Sequence, residues 1–412
     1  MFAFINSRAS CYLDSLLVAM FVPAYGNFFD ALFFPDASSD DEVPRDRDLD
    51  AAELRALRWA LWEEMTRLRR GGREGDDDTS VNAAPLTERL ASPAPRGARG
   101  NGWVNTKLRG ALARYATRRN GGASIVDFSA PVAQSVVDCF KSLLALFHVT
   151  DAISRFQTST TLMLRRPETV AAQNSLKKMV LLWLSSPVRF KWDSTTAHLL
   201  PACDACEAHT LRQDSSAFLL ENENGDRRRV TPVEVTSVFL CQLTLDDVSR
   251  ECVEITRELQ PHIEVIDSEA YTGNVAFKMI ATKVLRSPVL VMEVSRNVTQ
   301  FVNGQILERK IMTPVNFGVF DTENARWSLR VHGISAPYRL VAVVCHLGDT
   351  LSNGHYVAYV TRGNAWFFYD DTAPRGEMFG VDPSTFSARD GVPRACPSIH
   401  GELFFYTQDR TR

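Results

Sequence analysis

Cysteine is scarce in this chain, and its charge is nearly balanced. The eight cysteines are scattered through 412 residues, which does not fit a small protein built on a disulfide framework. We therefore expect a reducing intracellular compartment, either the cytoplasm or the nucleus. The formal net charge of −3 gives no basic signature of nucleic-acid binding, so we expect no nucleic-acid partner.

Long apolar runs are missing as well. No uncharged stretch approaches the roughly 20 residues that a membrane-spanning helix needs. The N-terminal residues include Arg8 and Asp14 and lack a basic leader followed by a continuous apolar core. We therefore expect neither a signal peptide nor a membrane partner. Because 45% of the residues are hydrophobic, the chain can nevertheless bury a substantial core.

The first candidate for chemistry is a cysteine that begins an amphipathic segment. Apolar residues recur at helical spacing from Leu13 to Phe21, which predicts a helix with Cys11 at or near its N-terminus. The N–H groups and dipole of a helix N-terminus favour an anion, so a thiolate at Cys11 would be stabilised there. A lone cysteine on an apolar helix is more often a core residue. The interpretation as a nucleophile therefore depends on what the rest of the chain supplies.

Three consecutive strands rich in β-branched and aromatic residues are predicted near the other end, at 338–348, 354–360 and 366–371. In an antiparallel pair the start of one strand faces the end of the next, so His355 and Asp370 could meet. The carboxylate would then hold one imidazole nitrogen while the other addresses Cys11. From the residues alone, His346 competes with His355, and Asp371 competes with Asp370.

Between these two segments, the sequence divides into helical and polar stretches. Residues 35–50 are acidic and poor in core residues, and residues 71–102 have the Gly, Pro, Arg and Asp content of a disordered segment. Apolar periodicity predicts further helices. They lie at 54–68, 103–119, 131–149 and 169–184.

Two motifs carry a family resemblance. The first is Asn6 together with the Cys-Tyr-Leu-Asp-Ser-Leu-Leu run that begins at Cys11, and the second begins at Gly354 with Gly-His-Tyr and ends on the Asp pair. Both resemble the signature boxes of the ubiquitin-specific proteases. The segments 136–147 and 287–294 also resemble that family. The cysteine box is most similar to the cylindromatosis-type branch, which shares Asp14 where most of the family has Asn.

The resemblance implies an α+β, papain-like cysteine protease of three parts. Residues 1–190 would form a helical thumb that carries the cysteine box and a disordered insertion near 70–102. Residues 191–260 would form β-rich fingers, and residues 261–412 an antiparallel β palm that carries the histidine box. The implied activity is hydrolysis of the peptide or isopeptide bond after the C-terminal glycine of ubiquitin. Expected partners are ubiquitin, polyubiquitin and ubiquitinated proteins.

The same resemblance assigns the roles at the site. Cys11 would attack as the thiolate, and His355 would act as general base and then as general acid. Asp370 would orient His355, with Asp371 as a supporting or alternative carboxylate. Asn6 would help to stabilise the oxyanion. The competing role for Asn6 is a helix N-cap, but its distance from Cys11 in sequence makes Ser10 the better placed cap.

A Cys-x-x-Cys pair falls where the family has half of a four-cysteine zinc ribbon. Cys203 and Cys206 supply two ligands, whereas a structural zinc site needs four, and residues 271–275 lack the second pair. We therefore predict a degenerate ribbon and no cofactor. The alternative is a zinc ion held by Cys203 and Cys206 with other ligands. The candidates for those ligands are His198, His209, Cys241 and Cys252.

Two other functions stay open. The protein could act on another ubiquitin-like modifier, because the boxes encode the chemistry and leave the choice of modifier to remote surfaces. It could also be an inactive ubiquitin-binding scaffold. The presence of Cys11, His355, Asp370 and Asn6 together argues against a scaffold, which needs none of this chemistry.

Overall fold

The structure is a computed structural model. It describes residues 10–23, 27–34, 49–69, 106–119, 126–128, 134–149, 156–165, 190–193, 198–201, 218–221, 227–230, 234–259, 262–266, 275–284, 288–302, 305–331, 336–350, 353–373, 377–387 and 395–408. The predicted disordered segment 71–102, the predicted helix 169–184 and most of the acidic segment 35–50 lie outside these residues.

Helices concentrate in the first part of the chain. The α-helices of the described residues are α1 (Cys11–Phe21), α2 (Asn27–Phe33), α3 (Leu49–Arg69), α4 (Thr106–Arg119), α5 (Val136–Leu146) and α6 (Pro397–His400). Three short 3-10 helices lie at Leu245–Ser249, Arg257–Leu259 and Pro383–Ser387. The helices predicted at 54–68, 103–119 and 131–149 are confirmed as α3, α4 and α5. None of the helices in the described ranges is long and apolar enough to cross a membrane.

Strands make up most of the remaining described structure. They are β1 (Phe156–Arg165), β2 (Phe190–Asp193), β3 (His198–Pro201), β4 (Phe218–Glu221), β5 (Arg227–Val230), β6 (Glu234–Thr236), β7 (Phe239–Gln242), β8 (Val253–Glu254), β9 (His262–Ile266), β10 (Val275–Val284), β11 (Val289–Ser295), β12 (Asn297–Val302), β13 (Gln305–Lys310), β14 (Val315–Asn316), β15 (Val319–Asp321), β16 (Arg326–Leu329), β17 (Tyr338–Thr350), β18 (Asn353–Arg362), β19 (Ala365–Tyr369), β20 (Phe379–Val381) and β21 (Gly401–Gln408). The three strands predicted near the C-terminal end are confirmed as β17, β18 and β19. The fold class is α+β, as the sequence predicts.

The chain divides into two compact units. The first comprises Met1–Ser154, Ser237–Ile255 and Arg286–Arg412, and the second comprises Arg155–Thr236 and Thr256–Leu285. The second unit contains a four-stranded antiparallel sheet in the order β6-β1-β10-β9 and the hairpins β2–β3 and β4–β5. The contiguous thumb, fingers and palm boundaries drawn from the sequence stay a prediction.

The first unit is built on a nine-stranded sheet. Its main path runs β20-β19-β18-β17-β21-β11-β7, and β16 and β15 extend it from β17. All of its pairs are antiparallel except β11 with β7. In the central pair, Leu347 on β17 lies opposite His355 on β18. The sheet thus fixes where the histidine box stands.

Helix α1 packs against β17 and β18 on this sheet and against α2, α3 and α5. Every residue from Cys11 to Phe21 is buried. The sequence predicts an amphipathic helix, and this prediction is wrong. A helix that is surrounded on all sides has no solvent-facing stripe, and its polar residues must find partners inside the protein.

A buried arginine ties three parts of the first unit together. Arg296, between β11 and β12, is completely buried. Its guanidinium donates to the carbonyl oxygens of Ser398 at 2.7 Å, Thr313 at 2.9 Å, Gly401 at 3.2 Å and Ile311 at 3.3 Å. Burial lowers the pKa of Arg296 to about 10, against the opposing effect of the Glu402 carboxylate, so the side chain stays charged at neutral pH.

We expect Arg296→Ala to lower the free energy of unfolding by at least about 3 kcal/mol, because it leaves several buried carbonyl groups without their donor. Urea unfolding of the two variants Arg296→Ala and Arg250→Ala measures this. Arg250 is the control, since its side chain is 55% exposed and its buried partner Asp247 keeps two hydrogen bonds from Thr244, so that its loss costs about 1 kcal/mol or less. Equal costs in the two variants would contradict the role given to Arg296.

Candidate active site

Cys11 is the first residue of α1 and is almost completely buried. The turn that carries it is closed by the carbonyl oxygen of Ser10, which accepts from the backbone N–H groups of Leu13 at 2.9 Å and Asp14 at 3.0 Å. The sulfur therefore stands at the positive end of a buried helix, where an anion is favoured.

His355 and Asp370 meet beside this turn. His355 lies near the start of β18, and Asp370 directly follows β19. These strands pair antiparallel with Ala358 opposite Tyr369, so the start of one faces the end of the other. Nε2 of His355 lies 2.8 Å from Oδ1 of Asp370. Cys11 lies close enough to His355 to raise the pKa of the imidazole. Because Nε2 faces the carboxylate, Nδ1 is the nitrogen left for the sulfur.

The carboxylate of Asp370 is held ionised by its neighbours. It accepts from the hydroxyl of Thr372 at 2.6 Å and from the backbone N–H of Thr372 at 2.9 Å. Burial opposes ionisation of Asp370, but the hydrogen bonds from His355 and Thr372 outweigh it and lower the pKa to about 2. The carboxylate is therefore fully charged where it faces the imidazole.

The imidazole of His355 is held protonated by the same arrangement. Burial alone would lower its pKa, yet the hydrogen bond to Asp370, the nearby Cys11 and the charge of Asp371 raise it to about 10. At neutral pH this environment stabilises an imidazolium next to the sulfur. Such an ion pair is the state in which a cysteine nucleophile is activated.

Asp371 has a different relation to His355. It is completely buried, and its Oδ1 lies 3.5 Å from Nε2 of His355. That separation is too long for a good hydrogen bond, so Asp371 acts on the imidazole mainly through its charge. The geometry therefore favours Asp370 over Asp371 as the residue that orients His355.

The competing histidine belongs to a buried polar cluster. Nδ1 of His346 lies 3.1 Å from Nζ of Lys310 and 3.3 Å from Oε1 of Glu402. The ammonium of Lys310 also donates to the carbonyl oxygen of His346 at 2.6 Å. The ring of His346 packs on the ring of Tyr356, with centroids 4.7 Å apart. These contacts give His346 a structural role.

The glycine of the Gly-His-Tyr motif is required by this close packing. A Cβ atom on Gly354 would collide with Nε2 of His346 and would lie 2.8 Å from the carbonyl oxygen of Leu347. Only a residue without a side chain lets β18 approach β17 here. His355, the next residue, takes its position from this approach.

Ser15 is a positioning residue that the sequence analysis missed. Its hydroxyl, inside the buried helix α1, donates to the carbonyl oxygen of Tyr356 at 3.0 Å. This bond attaches the helix that begins at Cys11 to the residue that follows His355. A hydroxyl placed among apolar helix residues was the signal, because a buried polar group needs a partner.

Three side chains at the site could also be considered as metal ligands. Among the described residues, His355, Asp370 and Asp371 offer ligand atoms that lie within 4.8 Å of one another. A metal needs the neutral imidazole with an open lone pair, whereas Nε2 here is turned to a carboxylate and the pKa of His355 is raised to about 10. The arrangement suits the transfer of a proton better than the binding of a metal.

Several predicted site residues lie outside the described residues. Asn6, Cys203 and Cys206 are among them, so the oxyanion role and the degenerate zinc ribbon stay predictions, as does His209 as a ligand. Of the other suggested ligands, Cys241 is buried in β7, and Cys252 is exposed. Cys252 directly precedes β8.

A cysteine at a helix start, a histidine close to it and a carboxylate bonded to the histidine form the arrangement of a thiol-dependent hydrolase. The ubiquitin carboxyl-terminal hydrolase family matches residues 2–377, so the chain belongs to that family. The family predicted from the two boxes is thereby confirmed. The assignment to the cylindromatosis-type branch stays a prediction.

Curated relatives match shorter segments. Ubiquitin carboxyl-terminal hydrolase 10 of Arabidopsis thaliana is 37% identical over 75 residues, which are 18% of this chain and 8% of the relative. Ubiquitin carboxyl-terminal hydrolase 26 of Homo sapiens is 39% identical over 71 residues, or 17% and 7%. Ubiquitin carboxyl-terminal hydrolase 17-like protein C of Mus musculus is 33% identical over 106 residues, or 25% and 18%. The chain thus spans less than a fifth of the length of these relatives.

We expect His355→Ala to lower kcat at least about 100-fold, because general acid–base catalysis by a positioned side chain contributes about that much or more. His346→Ala should lose far less activity per folded molecule but should lower the melting temperature, since Lys310 and Glu402 lose a buried partner. Turnover of a fluorogenic amide of the ubiquitin C-terminus, with thermal unfolding alongside, separates the two effects. Equal losses of kcat in folded protein would contradict the assignment.

We expect Asp370→Asn to move the alkaline limb of the pH profile of kcat/KM to lower pH. The hydrogen bond that His355 donates to Asp370 helps to raise the pKa of His355 to about 10, so removing the charge of Asp370 lowers that pKa and the imidazolium is lost at lower pH. Asp371→Asn should shift the limb less, because its oxygen lies 3.5 Å away instead of 2.8 Å. A larger shift in Asp371→Asn would show that Asp371, and not Asp370, orients His355.

Proposed function

We propose that this chain is a cysteine-type deubiquitinating protease, which hydrolyses the peptide or isopeptide bond after the C-terminal glycine of ubiquitin. One observation carries the proposal. Cys11 at the start of α1 lies close enough to His355 to raise the pKa of its imidazole, and Nε2 of that imidazole lies 2.8 Å from Oδ1 of Asp370. Membership of the ubiquitin carboxyl-terminal hydrolase family supports ubiquitin as the source of the acyl group.

In the first half of the proposed reaction, the sulfur of Cys11 attacks the carbonyl carbon of the terminal glycine. His355 holds the proton of the thiol as imidazolium, and Asp370 stabilises that charge. The carbonyl oxygen becomes an oxyanion, which N–H groups at the helix start and, by the predicted role, Asn6 stabilise. When the C–N bond breaks, His355 gives its proton to the departing amine and a thioester with Cys11 remains.

In the second half, water replaces the amine. His355, now neutral, takes a proton from the water as the oxygen attacks the thioester carbon. The C–S bond breaks, the glycine leaves as a carboxylic acid and the sulfur returns to its ion pair with the protonated His355. All steps use the same imidazole, which explains why its orientation by Asp370 matters twice.

The finer architecture is part of the proposal. We assign the helices α1 to α5 to a thumb, the short strands between residues 190 and 236 to fingers and the large sheet to a palm of a papain-like fold. The short antiparallel hairpins β2–β3 and β4–β5 support the fingers. The nine-stranded sheet, which carries both His355 and Asp370, supports the palm.

Partners and compartment follow from the activity. We propose ubiquitin, polyubiquitin and ubiquitinated proteins as partners and an intracellular, reducing location. The six cysteines of the described residues form no disulfide, which supports a reducing location. The Gly-Gly end of ubiquitin suits a narrow cleft that excludes side chains, and carboxylates along such a cleft would pair with the arginines of the ubiquitin tail.

We expect Cys11→Ala to abolish hydrolysis while ubiquitin binding is retained, because it removes the attacking sulfur and leaves the remote docking surface intact. A ubiquitin whose C-terminus bears a thiol-trapping group should form a covalent adduct with the wild-type chain and with Cys252→Ala, a variant of an exposed cysteine. Cys11→Ala should form none.

The same probe separates the competing functions. An adduct with a probe built on another ubiquitin-like modifier, in place of ubiquitin, would assign the protein to that modifier. Binding of ubiquitin without any adduct in the wild-type chain would identify a scaffold. Activity retained in Cys11→Ala would overturn the nucleophile itself.

A further inference from the structure

Ser10 and Asp14, which lie on either side of Cys11 in the sequence, are joined by two hydrogen bonds. The carbonyl oxygen of Ser10 accepts from the backbone N–H of Asp14 at 3.0 Å. In the opposite direction, the hydroxyl of Ser10 donates to Oδ2 of Asp14 at 2.5 Å. Both side chains are almost completely buried. The turn of helix that contains Cys11 is thus closed by a backbone bond and by a short, charge-assisted side-chain bond between the same two residues.

Ser10 stands at the N-cap of α1 but does not behave as a cap. Its backbone is helical, with φ −82° and ψ −3°, and its side chain makes no capping hydrogen bond to the backbone. An ordinary N-cap has an extended backbone, and its side-chain oxygen accepts from an N–H group of the first turn. The sequence predicts Ser10 as the cap, and the structure places it there in an unusual conformation.

Two other helix starts in the same chain have the extended backbone of an ordinary cap. Ser135, which begins α5, is extended with φ −64° and ψ 127°, and its hydroxyl accepts from the N–H of Asp138 at 3.2 Å. Thr244, which begins a 3-10 helix, is extended with φ −121° and ψ 171°. Its hydroxyl, like that of Ser10, donates to a carboxylate, Oδ2 of Asp247 at 3.1 Å, but the same oxygen also accepts from the N–H of Thr244 at 2.8 Å. In both, the carboxylate lies three residues after the cap.

The difference lies in the spacing of the carboxylate. At three residues, an acidic side chain reaches back to the N–H of an extended cap residue, as Asp247 does to Thr244. At four residues, the two side chains lie on one face of the helix, one above the other. Asp14 is four residues after Ser10. Its carboxylate therefore accepts a hydrogen bond from the hydroxyl of Ser10. The backbone of Ser10 has the same helical conformation as the residues of α1 that follow it.

The conformation of Ser10 sets the orientation of the peptide group that joins Ser10 to Cys11. The angle ψ of Ser10 determines where the N–H of Cys11 points. If Ser10 adopted the extended ψ of Ser135 or Thr244, that peptide would turn through more than a right angle. The N–H of Cys11 belongs to the helix start that faces the oxyanion in the proposed reaction.

We propose that Asp14 is a positioning residue for the nucleophile: by taking the Ser10 hydroxyl, its carboxylate holds Ser10 in the helical conformation and prevents it from capping α1. This inference rests on the proposed function, since it concerns the same reaction. Asp14 acts through Ser10 and the peptide before Cys11. A common cap at this position would compete with the geometry that the reaction needs.

The electrostatic environment agrees with this position of Asp14. Burial raises the pKa of Tyr369, and the charges of Asp14 and Asp371 raise it further. Tyr369 directly precedes Asp370 in the chain. The carboxylate of Asp14 therefore lies close to the last residue of β19, directly before Asp370, and both Asp14 and Tyr369 are completely buried.

The test is a mutant cycle on Ser10 and Asp14. Asp14→Ala should release the hydroxyl of Ser10 to cap the helix and should lower kcat about tenfold or more, because misplacing a reacting group by about 1 Å can cost 100-fold. KM for a fluorogenic ubiquitin amide should stay within about twofold. The double variant Ser10→Ala/Asp14→Ala should recover most of kcat, because alanine cannot cap. Asp14→Asn should stay near the wild-type rate, since its amide oxygen still accepts from the hydroxyl.

Ser135→Ala is the matched control. It removes an ordinary cap from α5, so it should lower the melting temperature and leave kcat unchanged. Thermal unfolding of every variant confirms folding. If Asp14→Ala does not fold, Asp14→Ser takes its place, since a serine is too short to reach Ser10 across one turn.

Three results would overturn the inference. A double variant slower than Asp14→Ala would show that the carboxylate only supports the fold. A loss in Asp14→Asn as large as in Asp14→Ala would show that its charge, and not its bond to Ser10, matters. An unchanged kcat in folded Asp14→Ala would show no positioning role. Failure of the proposed function is distinguishable, because the wild-type chain would then form no ubiquitin adduct. In that case the rate at which iodoacetamide alkylates Cys11 would still measure how each variant positions the sulfur.

Discussion

The burial of α1 against the sheet is the constraint on which the site depends. The helix has no exposed residue, so its position is set by packing on all sides and by the single bond from Ser15 to the carbonyl oxygen of Tyr356. This seating brings Cys11, near one end of the chain, to His355, near the other. A nucleophile on a loop could move relative to its base, whereas one on a fully packed helix cannot without opening the core.

The interior of the first unit carries charges as well as apolar residues, and the cations Arg296 and Lys310 are both hydrogen-bonded there. Arg296 donates to backbone carbonyl groups, and Lys310 bonds to His346. Buried charges are tolerated only when they are paired and hydrogen-bonded. These contacts lie where β11, β17 and β21 come together, and β17 is the strand with which β18, the strand of His355, pairs.

Three histidines of the same unit show how environment determines their chemistry. Burial lowers the pKa of His400 to about 4, and the nearby cations Lys310 and Arg296 lower it further. His355 experiences the same kind of burial, yet Asp370 and Cys11 reverse its effect. His346 is committed to Lys310. One fold thus holds a neutral, a protonated and a structural imidazole within a few strands, and only the protonated one faces the sulfur.

The sequence by itself determined the local elements and the family. The periodicity after Cys11 predicted a helix that begins there, and the β-branched strands around His355 predicted the sheet, because helix and strand patterns are local properties. Only the tertiary structure decided which residues meet. The register of β18 with β19 favours Asp370 over Asp371 as the partner of His355. The contact with Lys310 occupies His346, and packing on every side makes α1 fully buried instead of amphipathic. These outcomes depend on contacts between residues far apart in the chain, which no local pattern specifies.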